Sequence, residues 1–421
     1  MNIYFSGIGG VGIGPLAEIA HDAGNAVVGS DLAESPHTRE LEARGISVHL
    51  GQDGTFLRET HQKTPLDWFI YTAALPDTHP ELVAAKALGI RTGKRDEFLA
   101  ALITEHNLQL IAIAGTHGKT TTTGMMVWAL QQLNVPVSYS VGTTISFGPS
   151  GAYAPESHYF VYECDEYDRN LLYFSPAVSL LTSIDYDHPD TYPTEESYRA
   201  TFRQYIDQSA HTIGWQRDLE YIAQPSTTAI ESLSASQLPS SLRIAGEHNR
   251  RNATLVLKAL DYLGYKDVDK NTTILEQFPG TDRRFEKLAD NLYSDYGHHP
   301  EEIAATLQLA RELSDHVVLV YQPHQNWRQH FIRDEYTTQF ERADTIYWLP
   351  TYLTRENPEQ PVLTPEELTT HLTNRDDVVY GELNDDLWQA IQAHRQSGAL
   401  VLCMGAGSID SWVRDRLAAD R

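Results

Sequence analysis

Gly115-Thr116-His117-Gly118-Lys119-Thr120-Thr121 follows the apolar run 108–114 and precedes a Thr-rich stretch of helical character. A glycine turn between a strand and a helix wraps a phosphate with backbone N–H groups. Lys119 then reaches the β- and γ-phosphates, and the Thr120 hydroxyl can bind Mg2+. The motif is not a full Walker A, because its first glycine would fall on Ile113. Further on, Glu163-Cys164-Asp165-Glu166-Tyr167-Asp168 follows the strand-like run 159–162. A carboxylate at a strand end near such a turn suits Mg2+, while most of these acids are expected to be solvated surface charges. His188, in Asp185-Tyr186-Asp187-His188, follows the apolar run 177–183. Flanked by carboxylates at a strand end, it reads as a second metal position.

Three further groups of residues suit nucleotide chemistry. Gly7, Gly9 and Gly12 form GxGxxG after the run 2–6, and Asp31 ends the next strand-like run. Such a turn admits a diphosphate at a helix N-terminus, and the acid can reach a ribose hydroxyl. NAD is the usual partner of this pattern, but the phosphate turn at 115–121 argues otherwise. Asn249 and Asn252 are three residues apart at a helix start, and could pair with an adenine edge or cap the helix. Arg283 and Arg284 supply fixed guanidinium charge for phosphate.

These residues need elements to hold them. Strand-like runs at 2–6, 26–30 and 68–72 alternate with helical stretches at 15–23, 38–44 and 80–88. A second series opens at 108–114. A third opens at 292–295 with a helix at 301–313, strand-length runs at 317–321, 345–349, 378–380 and 400–404, and a closing helix at 409–418. This alternation predicts parallel α/β sheets, with breaks near 106 and 288. The stretch 223–240, rich in Ser, Thr, Ala, Gln and Pro, reads as a loop or irregular crossover.

The chain has 421 residues, enough for roughly three domains. Its formal charge of −25 argues against nucleic-acid or membrane-surface binding, which need a cationic face. Any phosphate site must be built locally against that field. Two distant cysteines allow no disulfide framework or Cys-rich zinc site, which fits a reducing compartment. No apolar run approaches the roughly 18 residues of a membrane span, and residues 1–8 carry no basic leader, so the protein reads as cytoplasmic.

Taken in order, GIGGVGIGPLAE with GSD, AGTHGKTTTT, ECDEYD, DYDHPDTY, GEHNRRNA, GTDRRFE, DYGHHPEEI, QPH and GAGSID span residues 7–410. Their order resembles that of the Mur ligases, most closely the alanine-adding branch. The resemblance implies three α/β domains: a Rossmann-like UDP-sugar domain at 1–106, a central ATP-binding P-loop domain at 107–287, and a Rossmann-like amino-acid domain at 288–421. It implies ATP-dependent joining of L-alanine to UDP-N-acetylmuramate, with Mg2+, in peptidoglycan precursor synthesis. No nucleic acid or membrane insertion is expected, and the assembly is expected to be a monomer or weak homodimer.

By position, Lys119, Glu163, His188 and Arg284 match residues the family uses in catalysis. Gly115 through Thr121, Asn249, Asn252, Arg284 and Asp295 match its ATP site, with Asp295 on the ribose. Thr120, Glu163 and His188 match its metal positions. Gly7, Gly9, Gly10, Val11, Gly12, Asp31, Thr72, Ala73 and Ala74 match the UDP-sugar site. Tyr296, His298, His324 and Arg328 match the region that receives alanine. The residue types suit the chemistry: a carboxylate must be activated before an amine can attack it, and phosphorylation to an acyl phosphate does so with cationic help from Lys119, Arg284 and Mg2+.

The chain departs from the family pattern in places. Only 31 residues separate Gly214 from Gly246, where the family carries a longer stretch. Thr72-Ala73-Ala74 stands where Ser-Ser-Ala is common. Gln325 replaces the arginine that usually follows the QPH histidine, which leaves Arg328 as the expected carboxylate anchor. No lysine lies between Lys119 and Lys258, so the carbamylated lysine of some Mur ligases is not expected. Lys119→Ala is expected nearly to abolish activity and leave the fold intact. The rival readings are a murein-peptide-recycling ligase and a non-catalytic nucleotide-sugar-binding paralogue; the DYGHHP motif favours the alanine-adding type over the former.

Overall fold

The computed structural model describes residues 1–420 except 11, 73, 74, 190, 225–228, 240, 241 and 355. The UDP-site candidates Val11, Ala73 and Ala74 therefore lie outside the described residues. The chain divides into two compact units, Met1–Ser240 with Asn252–Pro279, and Ser241–Arg251 with Gly280–Arg421.

The first unit holds two sheets. One is five-stranded and wholly parallel, in the order Ser47–Leu50, Ala26–Asp31, Asn2–Ser6, Trp68–Tyr71, Arg91–Lys94. Its central strand is apolar on both faces, with Ile3, Tyr4 and Phe5 fully buried, as a parallel sheet covered on both sides requires. Strand order reverses around Asn2–Ser6. The crevice at such a reversal is where open α/β sheets bind ligands, and the Gly7–Gly12 turn leaves the strand there. The edge strands SVHL and RTGK escape a reading based on apolar runs, because SVHL only alternates polar with apolar and RTGK has no apolar side chain.

The other sheet has seven strands, in the order Ile230–Leu233, Thr212–Trp215, Val178–Leu181, Gln109–Ala114, Tyr159–Glu163, Val137–Ser140, Gly151–Ala152. Only the last pair is antiparallel. Gln109–Ala114 is central, buried from Leu110 onward, and feeds the glycine turn and helix Lys119–Gln132. The stretch 223–240 is not wholly irregular, which corrects the sequence reading. Ile230–Leu233 adds a parallel edge strand to Thr212–Trp215, and Ala235–Gln237 is one 3-10 turn. Only Leu233 of that strand is buried, so it carries no apolar run to betray it.

The second unit holds a six-stranded sheet, in the order Glu286–Ala289, Leu292–Asp295, Leu400–Met404, Val317–Tyr321, Thr345–Trp348, Val378–Tyr380. All neighbours are parallel except the first pair. The α/β class expected from the sequence is the one found. Helix Glu247–Tyr262 begins among residues of this unit. Its His248 is half-buried with Nδ1 turned away from solvent and without a hydrogen-bond partner, and loss of solvation pushes the imidazole down to about 4.

That imidazole predicts a pH dependence. The unfolded chain takes up this proton near the ordinary value of about 6.5, the folded chain only near 4. His248 therefore contributes stability in full above about pH 6.5, and loses it as pH falls toward 4. Thermal melts at pH 7.5 and 5 should show a smaller loss in His248→Gln than in the parent; equal losses would refute the assignment.

Candidate active site

Strand Gln109–Ala114 ends at Gly115, and helix Lys119–Gln132 starts after Gly118. Gly118 lies at φ +83°, a left-handed conformation that favours glycine, and a Cβ there would meet Asn252 Oδ1 at 3.0 Å. The turn is fastened from behind. Thr116 N–H donates to the Ser183 carbonyl at 2.7 Å, the Thr116 hydroxyl to the Asp185 carbonyl at 2.8 Å, and His117 N–H to Ser183 Oγ at 3.1 Å. Ser183 and Asp185, just past the strand Val178–Leu181, thus support the phosphate turn.

Lys119 Nζ donates to the Gly115 carbonyl at 2.6 Å and to Glu166 Oε2 at 2.6 Å. Glu166 is 1% exposed. Burial pulls the Lys119 ammonium down, but Glu166 and Asp165 outweigh it and hold it above the ordinary lysine value. Burial likewise pushes Glu166 up, against the pull of Lys119. The sequence reading passed over Glu166 in favour of Glu163. The one mark of Glu166 in the sequence is its place three residues beyond the strand-end carboxylate in ECDEYD, which does not set it apart from Asp165 or Asp168.

Thr120 and Glu163 are also brought together. The Thr120 hydroxyl donates to Glu163 Oε1 at 3.0 Å, and Gly142 N–H donates to Oε2 at 3.2 Å. His188, at φ +56°, sets Nε2 3.8 Å from Glu166 Oε1 and 3.8 Å from Asp187 Oδ2. Among the described residues no three His, Cys, Asp or Glu side chains form a metal cage. Mg2+ does not need one: it takes one or two protein ligands and completes its shell with substrate phosphates and water. The Thr120–Glu163 pair, a hydroxyl and a carboxylate at the head of a phosphate-turn helix, fits that requirement.

In the Gly7–Gly12 turn, Asp31 Oδ2 accepts the Gly9 N–H at 2.8 Å, so the carboxylate braces the loop itself. Gly10 N–H closes the turn onto the Gly7 carbonyl at 3.0 Å, and Thr72 follows the strand Trp68–Tyr71. Asn252 is buried beside Gly118, whereas Asn249 turns its amide back to the Ala245 carbonyl at 3.1 Å.

In the second unit, Asp295 accepts N–H groups from Phe285 at 2.8 Å and Gly297 at 2.7 Å. Burial pushes its carboxyl up to about 6, against the pull of Arg284. Arg284 stands over the Tyr296 ring at 5.1 Å and 3.8 Å from Glu302. The residues matched to alanine binding gather here. Arg328 Nη1 lies 3.1 Å from His298 Nε2, and the His298 ring is 5.7 Å from His324 and 5.5 Å from Tyr296. A guanidinium only donates, so Nε2 accepts and Nδ1–H is left to donate to the Tyr296 carbonyl at 3.2 Å.

Three family models match the chain: the Mur ligase family catalytic domain over residues 2–107, the Mur ligase middle domain over 113–213, and the Mur ligase glutamate ligase domain over 283–407. The UDP-N-acetylmuramate–L-alanine ligase of Coxiella burnetii is 31% identical over 98% of this chain and 96% of its own length. That of Thermobifida fusca is 31% identical over 97% and 94%. Among solved structures, the UDP-N-acetylmuramate–alanine ligase of Thermotoga maritima is similar with a TM-score of 0.76 and 23% identity, covering all of both chains. A murein peptide ligase of Psychrobacter arcticus is similar with a TM-score of 0.65 and 23% identity, over 100% and 98%.

Proposed function

The chain belongs to the Mur ligase family, and from that premise we propose that it joins L-alanine to UDP-N-acetylmuramate as a step of peptidoglycan precursor synthesis. The family comprises ATP-dependent amide-bond-forming ligases, and the chain is one. The reaction we assign phosphorylates the sugar carboxylate with ATP to an acyl phosphate, which the amine of alanine attacks, releasing phosphate beside ADP. Residues 1–106 are assigned to the UDP-sugar, 107–287 to ATP and 288–421 to the amino acid, in the cytoplasm. Among the described residues no helix is long and apolar enough to cross a membrane.

The observation that carries this reading is the pairing of Lys119 and Thr120 with buried or strand-end carboxylates at the head of one helix. Lys119 neutralises the transferring phosphoryl group, with Arg284 assigned to the same charge. Thr120 and Glu163 would hold Mg2+, and His188 a second ion; the metal, when bound, neutralises phosphate charge. Asn252, beside Gly118, and Asn249 are assigned to the nucleotide, and Asp295 to its ribose. Gly7 through Gly12, Asp31 and Thr72 are assigned to the UDP-sugar, and Tyr296, His298, His324 and Arg328 to alanine.

Phosphate release measured with ATP, UDP-N-acetylmuramate and each amino acid in turn tests the proposal. Release is expected with L-alanine. Release with a murein tripeptide but no amino acid would move the assignment to the recycling type. A companion prediction concerns bicarbonate. No lysine lies between Lys119 and Lys258, and Lys258 is paired with Glu231 at 3.1 Å. Activity at fixed pH should be indifferent to added bicarbonate; a rise would point to a carbamylated lysine.

A further inference from the structure

Arg95 opens helix Arg95–Glu105, directly after the edge strand Arg91–Lys94. Two of its guanidinium nitrogens are committed. Nε and Nη2 donate to the two oxygens of Asp96, at 3.2 and 3.3 Å. Asp96 is buried and also accepts the hydroxyl of buried Tyr162, so the fork is fixed from below. Nη1 has no hydrogen-bond acceptor among the described residues. A Cβ at Gly12 would lie 2.8 Å from it, so the third glycine of the turn makes room for this nitrogen.

Arg95 lines a cleft with Gly12, Leu16, Leu99, Gly142 and Glu163. One wall is the glycine turn and the opposite one is the carboxylate paired with Thr120. Asp165 lines the same cleft, and Arg95 is the one cationic side chain among the described residues on its wall, an oriented guanidinium with an uncommitted donor. A planar fork held on one side and open on the other suits an oxyanion, and costs little ordering on binding.

We infer that Arg95 anchors an oxyanion of the nucleotide sugar in this cleft through Nη1; the inference rests on the function proposed above. The nucleotide sugar offers two such groups, its diphosphate and its carboxylate. Asp96 serves as the positioning residue that aims the fork. A lysine at 95 would keep a charge for Asp96 but could not hold it with two nitrogens and present a third.

The test is calorimetric titration of the whole protein and of Arg95→Lys with UDP-N-acetylmuramate and UDP-N-acetylglucosamine. Arg95→Lys should melt near the parent temperature and bind UDP-N-acetylmuramate roughly 10- to 100-fold more weakly, the worth of one charge-assisted hydrogen bond. Equal weakening for both probes assigns the diphosphate, and weakening for the muramate alone assigns the carboxylate. Unchanged affinity for both in a folded variant overturns the inference and leaves the proposed function standing. Failure of the parent to bind either nucleotide overturns that function and the inference with it. Should Arg95→Lys not fold, Arg95→Gln keeps an amide donor for Asp96 and removes Nη1; unchanged affinity there overturns the inference equally.

Discussion

Lys119→Met is expected to lower turnover by about 10²–10³ or more, since it removes a preorganised cation from phosphoryl transfer. It is also expected to destabilise the fold, which the sequence reading did not anticipate. Lys119 is 13% exposed and its partner Glu166 is 1% exposed. Removing one member of a buried ion pair leaves the other uncompensated, at a cost of about 3–5 kcal/mol. Glu166 then takes up a proton more readily, because the cation that opposed its burial is gone. The double variant Lys119→Met, Glu166→Gln separates the two effects. It should recover most of the lost stability in a denaturant titration and none of the lost turnover. A single variant as stable as the parent would mean that the pair contributes nothing to the fold. One retaining more than about a tenth of the parent turnover would remove Lys119 from the chemistry.

Arg328→Ala is expected to raise KM for L-alanine roughly 10- to 100-fold, the value of a charge-assisted hydrogen bond to a carboxylate. A small zwitterion needs fixed positive charge for its carboxylate. Arg328 is mostly buried, and its Nη1 is steered by His298 Nε2. Gln325 is also nearly buried and sits at φ +61° at the start of helix Asn326–Ile332. Its amide cannot supply the charged fork an arginine would. Gln325→Arg should therefore lower KM for L-alanine. Steady-state kinetics at saturating ATP and nucleotide sugar decide both. An unchanged KM in Arg328→Ala removes the anchor, and an unchanged KM in Gln325→Arg shows the departure to be compensated.

Legibility of the sequence followed burial. QLIAIA and VVLVY announce central strands because both faces are covered, and the motifs at their carboxyl ends inherit their places from them. SVHL, RTGK and IESL lie at sheet edges, where half of each strand meets water and polar residues are tolerated. Thr120 and Glu163 could be paired from their motifs, since a strand end beside a phosphate turn leaves few other geometries. Glu166 could not. Its burial arises from Lys119, from His188 and from the Tyr192 hydroxyl, which donates to the Glu166 carbonyl at 2.5 Å. None of these neighbours is local in the chain. The brace from Asp31 to Gly9 N–H was hidden for a related reason: the same acid serves a loop or a ribose equally well on paper.

The two sheets of the first unit differ in when synthesis can complete them. All five strands of the first have been made once residue 94 is polymerised. The central strand of the second, Gln109–Ala114, must wait for Tyr159–Glu163 on one side and Val178–Leu181 on the other, and the edge Ile230–Leu233 comes later still. At about 5–20 residues per second, the gap from residue 114 to 181 leaves at least one edge of this apolar strand unpaired for some seconds. The nascent chain thus carries an apolar, β-prone segment, and the phosphate turn attached to it, as a late-closing element on an early-closing platform. Pulse proteolysis of ribosome-stalled chains would register this as protection of residues 1–105 well before that of 109–132.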